Sequence, residues 1–91
     1  MERYFFHIHN SLGFIEDEEG RDLPGIEQAR NEAVKGIRSI IGAEVESGVI
    51  DLRGRIDICD EAGGVLMTLP FEETVEIIAG EVPAGADEEK S

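Results

Sequence analysis

The strongest constraint on this chain is a motif written twice. Ile15-Glu-Asp17-Glu18-Glu-Gly20 returns as Ile58-Cys-Asp60-Glu61-Ala-Gly63, so I-x-D-E-x-G stands on both sides of one long amphipathic stretch. An apolar strand residue, two acids and a glycine two places on make up a tight strand-to-strand turn. Two copies predict two β-hairpins flanking one helix. The motif specifies a fold and no activity.

The segments around it follow from local pattern. Arg3 to His9 is rich in aromatic and β-branched residues, which favour a strand. Alternation puts Tyr4, Phe6 and Ile8 on one face and Phe5, His7 and His9 on the other. Asn10-Ser-Leu-Gly13 reads as a turn into a short strand at Phe14–Glu16; the acidic turn Asp17–Gly20 follows, and Arg21–Leu23 is placed for brief pairing. Pro24 turns Leu23 away from helix, and Gly25 is the N-cap, with Gln28 where a capping box would place it. Apolar residues then recur in steps of three and four at Ile26, Ala29, Ala33, Ile37, Ile40, Ile41 and Val45, the stripe of one buried helix. Gly36 and Gly42 each cost about 1 kcal/mol relative to alanine there, and would permit close helix–sheet approach. Gly48 is the natural stop.

Beyond the helix, Val49–Gly54 connects with a short extended piece at Ile50–Leu52. Arg55–Asp60 reads as a strand with Ile56 and Ile58 facing one way, and Asp60–Gly64 turns the chain. Val65–Leu69 is an almost unbroken apolar run, which predicts a central or doubly covered strand. Pro70 ends it, and Phe71, Val75 and Ile78 at helical spacing predict a short closing helix. From Gly80 the composition turns to Gly, Pro, Ala and acids. The expected organisation is a single domain over 1–79 and an acidic flexible tail over 80–91. The fold class is α+β in two layers, β-β-α-β-β: an antiparallel-type sheet, one long helix on one face, and a short C-terminal helix.

Charge narrows the function classes. The 91 residues carry 21 acids against 8 bases, a net charge of −13. Such a surface repels phosphate backbones and anionic membranes, so neither nucleic acid nor membrane is an expected partner. A basic protein or an inorganic cation suits it better. No apolar run approaches the roughly 18 residues of a membrane span. The start, Met1-Glu-Arg-Tyr-Phe-Phe, lacks the apolar core of a signal peptide, and a cytoplasmic setting is expected.

Candidate chemistry is sparse. His7 and His9 are the two histidines, and H-x-H puts both imidazoles on one strand face, roughly 6–7 Å apart at Cα. That is half of a zinc or nickel site, which Asp57 and Cys59 would complete if their strand were adjacent. Cys59, the single cysteine, otherwise serves as a small hydrophobe. The acidic runs fail as calcium loops, because Ile15 and Ile58 fall at the first ligand position. Glu72 and Glu73 fit the dipole of the closing helix. No glycine-rich phosphate loop, nucleophile elbow or C-x-x-C occurs, so neither an enzyme nor a cofactor is expected.

The helix covers one face of the sheet and leaves Phe5, His7 and His9 on the other. Phe5 is large and apolar, so it needs cover from the closing helix or from a second chain. The second is favoured: the chain is expected to be a non-catalytic protein–protein interaction module and a homodimer, with Phe5, His7 and His9 in the interface. The alternatives are an inhibitor-like module that binds a small basic protein, and a metal-binding protein or enzyme using His7 and His9.

The opening Arg3-Tyr-Phe-Phe-His7, the turns Asp17-Glu18-Glu-Gly20 and Asp60-Glu61-Ala-Gly63, Leu23-Pro24 before the helix with Ala29-Arg30 inside it, and Leu69-Pro70-Phe71 together resemble a family of small domains of unknown function from rhizobia and related alphaproteobacteria. The resemblance spans Arg3 to Val75 and implies no activity, cofactor or catalytic residue. Gly25 departs from it, standing where Asp or Ser is expected as N-cap. Asp22-Leu-Pro-Gly25, followed by Glu27 and Ala29-Arg30, is also similar to the HicB-type antitoxin domain. That similarity implies a small basic RNase toxin as partner, which the acidity suits. The separate DNA-binding segment usual in such proteins has no counterpart here.

Overall fold

The computed structural model describes residues 1–80, so from residue 81 onward the expected acidic tail lies outside the described residues. The fold is built on β1, Glu2–Asn10, the longest strand. β4, Arg55–Cys59, pairs antiparallel with β1 along Phe5–His9, and β5, Val65–Pro70, pairs antiparallel with β4. β2, Gly13–Ile15, returns along the other edge of β1 through a tight turn. Asn10 builds that turn: its Oδ1 accepts the N–H groups of Leu12 at 2.8 Å and Gly13 at 3.1 Å.

The two motif copies then part company. The second does what its composition predicts. The Gly63 N–H reaches the Asp60 carbonyl at 3.0 Å, Asp60 Oδ1 accepts the Gly64 N–H at 2.8 Å, and the chain reverses from β4 into β5. The first copy is no reversal, which overturns the expected hairpin there. β2 and β3, Arg21–Leu23, do not pair with each other; both pair antiparallel with β1. Parity along β1 puts Tyr4, Phe6 and Ile8 on one hydrogen-bonding edge, so β2 and β3 are two pieces of one interrupted edge strand. Ile8 pairs with Ile15 and Tyr4 with Arg21, so the three β1 residues 5–7 are spanned by the five residues 16–20. The acidic run fills a bulge in an edge.

α1, Ile26–Ser47, packs over the sheet with Ala29, Ala33, Ile37 and Ile41 buried. They meet Tyr4, Ile56, Ile58, Leu69 and Phe71 in one core. Fully burying an isoleucine such as Ile37 contributes about 1.5–3 kcal/mol. Gly25 starts the helix without a side-chain cap, and its carbonyl accepts the Ala29 N–H at 3.1 Å. Gly48 ends it by donating to the carbonyls of Glu44 and Val45. Ile26 and Val45, at the ends of the stripe, are exposed. Gly36 and Gly42 are exposed too, with nothing within 4 Å of an added Cβ, so neither serves a close helix–sheet approach. A stripe with steps of four through 29, 33, 37 and 41 turns positions 36 and 42 about 100° aside.

Two further expectations change. β5 is an edge strand, not a central one. Its apolar run is used by Met67 and Leu69 against the core, while Val65 and Leu66 sit exposed at a register shift opposite Ile58 and Cys59. That bulge and Pro70, which has no N–H to offer, blunt this edge as the Asp17 bulge blunts the other. The closing helix shrinks to one 3-10 turn, Phe71–Glu73. Phe71 is buried, but the Thr74 carbonyl that a helix would offer to residue 78 accepts the Arg38 Nε–H at 2.7 Å, and Ile78 is 85% exposed. Val75, Ile77 and Ile78 are also poor helix formers with too little burial to compensate. No helix among the described residues is long and apolar enough to cross a membrane.

Candidate functional site

The helix-free face of the sheet gathers the residues that sequence singled out. In register, Phe5 lies opposite Cys59, His7 opposite Asp57 and His9 opposite Arg55. β1 and β4 are therefore neighbours, as a shared histidine–Asp57–Cys59 site requires. Across the other edge His9 lies opposite Phe14. The result is an aromatic row: ring centroids are 6.4 Å apart for Phe5–His7, 5.7 Å for His7–Phe14 and 4.7 Å for His9–Phe14. Phe5, His7 and His9 are half-buried, whereas Phe14 is 55% exposed. Gly20 of the first motif copy lies against Phe5, and an added Cβ there would stand 2.9 Å from Phe5 Cε2.

Asp17 organises the bulge. On the edge of β1 away from β4, in the gap between β2 and β3, Asp17 Oδ2 accepts the Phe6 N–H at 3.0 Å. Its Oδ1 accepts the N–H groups of Glu19 at 3.2 Å and Gly20 at 3.1 Å. Burial pushes the carboxyl up, but the Phe6, Gly20 and Glu19 donors outweigh it and hold the pKa below the ordinary carboxylate value. The Asp17 N–H donates to His7 Nδ1 at 3.0 Å, so that nitrogen is the acceptor and the ring proton sits on Nε2. The side chain and backbone of one residue thus replace the missing length of edge strand and orient an imidazole.

His9 is held differently. Its Nε2 stands 3.1 Å from Asp57 Oδ2, while Asp57 Oδ1 accepts from Thr68 Oγ1 at 2.9 Å and Arg55 Nε at 3.3 Å. Both imidazoles therefore have protein partners. Among the described residues, no three His, Cys, Asp or Glu side chains are grouped so as to hold a metal ion. Cys59 is buried, and burial followed by the charges of Asp57 and Asp60 pushes its thiol up, away from the reactive thiolate.

The face has two unlike ends. At the Phe5 end a hollow of about 330 Å³ over Phe5 and His7 is walled by both motif copies, with Glu16, Asp17 and Glu18 on one side and Asp60, Glu61 and Gly63 on the other. At the His9 end stands Arg55, exposed, with its Nε 3.3 Å from Asp57 Oδ1. Sequence reasoning missed Phe14 and Asp17 as parts of this surface. The signal for Phe14 was present, because a tight turn closed by Asn10 and Gly13 fixes His9 opposite Phe14. No sequence signal distinguishes Asp17 from Asp60.

No match was found among curated proteins or among solved structures. The match of residues 3–72 to a family model, spanning β1 through the first residues of the closing turn, establishes that the chain belongs to the domain-of-unknown-function family DUF6894.

Proposed function

We propose that this domain acts by association and not by catalysis, and that it forms a homodimer through the helix-free face of its sheet. The aromatic row of Phe5, His7, Phe14 and His9 carries this reading. A row of rings with Phe14 over half exposed is a surface that gains by being covered. Both sheet edges are blunted, which favours the face over strand addition. The charge layout supports a two-fold arrangement: with β1 antiparallel to its mate, Arg55 of each copy meets the carboxylates around the other copy's Phe5. The buried free thiol of Cys59 fits a reducing, cytoplasmic setting.

Sedimentation velocity at about 100 μM, well above the micromolar range of standard interfaces, tests this. Wild type sediments as a dimer, and Phe14→Ser and Arg55→Glu, both at exposed positions, sediment as folded monomers. A monomeric wild type at that concentration contradicts the reading.

A second reading, capture of a basic protein, is favoured by the carboxylates of both motif copies around Phe5 and His7. It predicts a complex that dissociates steeply as salt rises, whereas the face-to-face dimer retains its apolar contribution.

A further inference from the structure

The other side of the sheet carries a feature that association through the aromatic row leaves unused. Phe6 and Ile8 point toward α1 yet are only half-buried. Two causes combine. The edge strand beside them is interrupted at the Asp17 bulge, and the helix passes above with its smallest residues, Ala33 and Gly36. The outcome is a cleft of about 480 Å³ floored by Phe6, Ile8, Ile56 and Ala33. An added Cβ at Gly36 would meet nothing within 4 Å. Interiors are packed to crystal density, and a hollow of this size with an apolar floor falls within the range of small-molecule sites.

The mouth is polar. Arg21 Nη1 donates to Glu32 Oε1 at 2.6 Å, and Lys35 Nζ stands 3.6 Å from Glu32 Oε2. Two cations therefore share one carboxylate and keep most of their donors free. Of the acids nearby, Asp17 is occupied by three backbone N–H groups, and Glu19 is exposed. Arg21 and Lys35 are the two bases of a lining that also holds Asp17, Glu19 and Glu32, so a carboxylate there is met by their unshared donors and not by a net positive field.

We propose that this cleft binds a small apolar monocarboxylate, its hydrocarbon body on Phe6, Ile8, Ile56 and Ala33 and its carboxylate between Arg21 and Lys35. Arginine suits this role because its planar fork matches a carboxylate. The site is independent of the aromatic row, which lies on the opposite face.

Octanoate titrated into ¹⁵N-labelled full-length protein is the probe, with octylammonium as the charge control. Octanoate produces saturable shifts at the amides of Phe6, Ile8, Gly20, Ala33 and Gly36, with a dissociation constant of about 1 mM, the scale expected for a ligand of its size. Octylammonium at equal concentration leaves those amides in place. Lys35→Glu, at a largely exposed side chain, weakens octanoate at least about fivefold, as loss of one charge contact implies. Gly36→Leu, which fills the cleft from an exposed helix position, abolishes the shifts in a folded protein. The proposal is overturned by absence of saturable shifts up to about 10 mM, ten times the expected constant. It is overturned equally by the same response to octylammonium, or by shifts centred on His9 and Phe14.

Discussion

Asp17 and Asp60 occupy the same position of the same motif, and the structure makes them unequal. Replacing Asp17 with alanine removes the acceptor for three backbone N–H groups. The Phe6 N–H is part-buried, and losing its partner costs about 1–3 kcal/mol. The Gly20 donor is also part-buried and the Glu19 donor is exposed; both sit in the bulge at the edge of the sheet, where water replaces part of the lost bond, and each costs about 0.5–1 kcal/mol. The total is about 2–5 kcal/mol, a large part of the roughly 5–15 kcal/mol that holds a domain together. Asp60→Ala removes one exposed bond, to the Gly64 N–H, and costs about 0.5–1 kcal/mol. In a domain of this size the two variants melt about 8–40 °C and about 2–8 °C below wild type. Urea unfolding followed by helix circular dichroism, with thermal melts beside it, measures both. Equal losses at the two aspartates would refute the claim that the first motif copy replaces a strand while the second only turns the chain.

Further outcomes follow from the same contacts. Gly20 has φ +72° and an added Cβ would lie 2.9 Å from Phe5 Cε2 and 3.0 Å from the Tyr4 carbonyl oxygen, whereas Gly63, at φ +89°, has open space. Gly20→Ala therefore destabilises by about 2–4 kcal/mol against about 1–2 kcal/mol for Gly63→Ala, readable in urea midpoints. Gly54→Ala drives a Cβ to within 2.7 Å of Phe71 Cε2 and 2.8 Å of the His9 carbonyl, and costs about 2–3 kcal/mol by the same assay. For pH, the folded-state pKa of Asp17 is depressed, so its contribution is complete above the ordinary carboxylate value near 3.9 and is lost as pH falls through the folded value. The stability difference between wild type and Asp17→Asn accordingly holds steady between about pH 5 and 8 and narrows below about pH 4. A difference undiminished at about pH 3 contradicts this.

What sequence reveals here divides by the range of the interaction. The stripe Ala29, Ala33, Ile37 and Ile41, the two faces of β1 and the Asp60–Gly63 turn depend on spacing within a few residues, and all are legible. The role of the first motif copy is not. Whether Asp17–Gly20 turns the chain or bridges a gap depends on where β3 finds its partner, and both β1 and β2 have unpaired backbone to offer. β5 misleads for a related reason, since an apolar run records burial without saying whether one face or two are covered. The closing helix shortens to one turn because Val75, Ile77 and Ile78 are poor helix formers with little burial and because a distant contact, Arg38, takes the Thr74 carbonyl. The candidate surface was half legible. Alternation put Phe5, His7 and His9 together, but Phe14 joins them through hairpin register, and Asp17 reaches His7 at the gap between β2 and β3 on the edge of β1 away from β4.

The most direct measurement is a pair of ¹H–¹⁵N spectra of the full chain at about 10 μM and about 1 mM, either side of the micromolar range expected for a modest interface. Association through the helix-free face predicts concentration-dependent shifts centred on Phe5, His7, His9, Phe14 and Arg55, with the amides of α1 unmoved. Superimposable spectra, or shifts that cluster on the helix, contradict it.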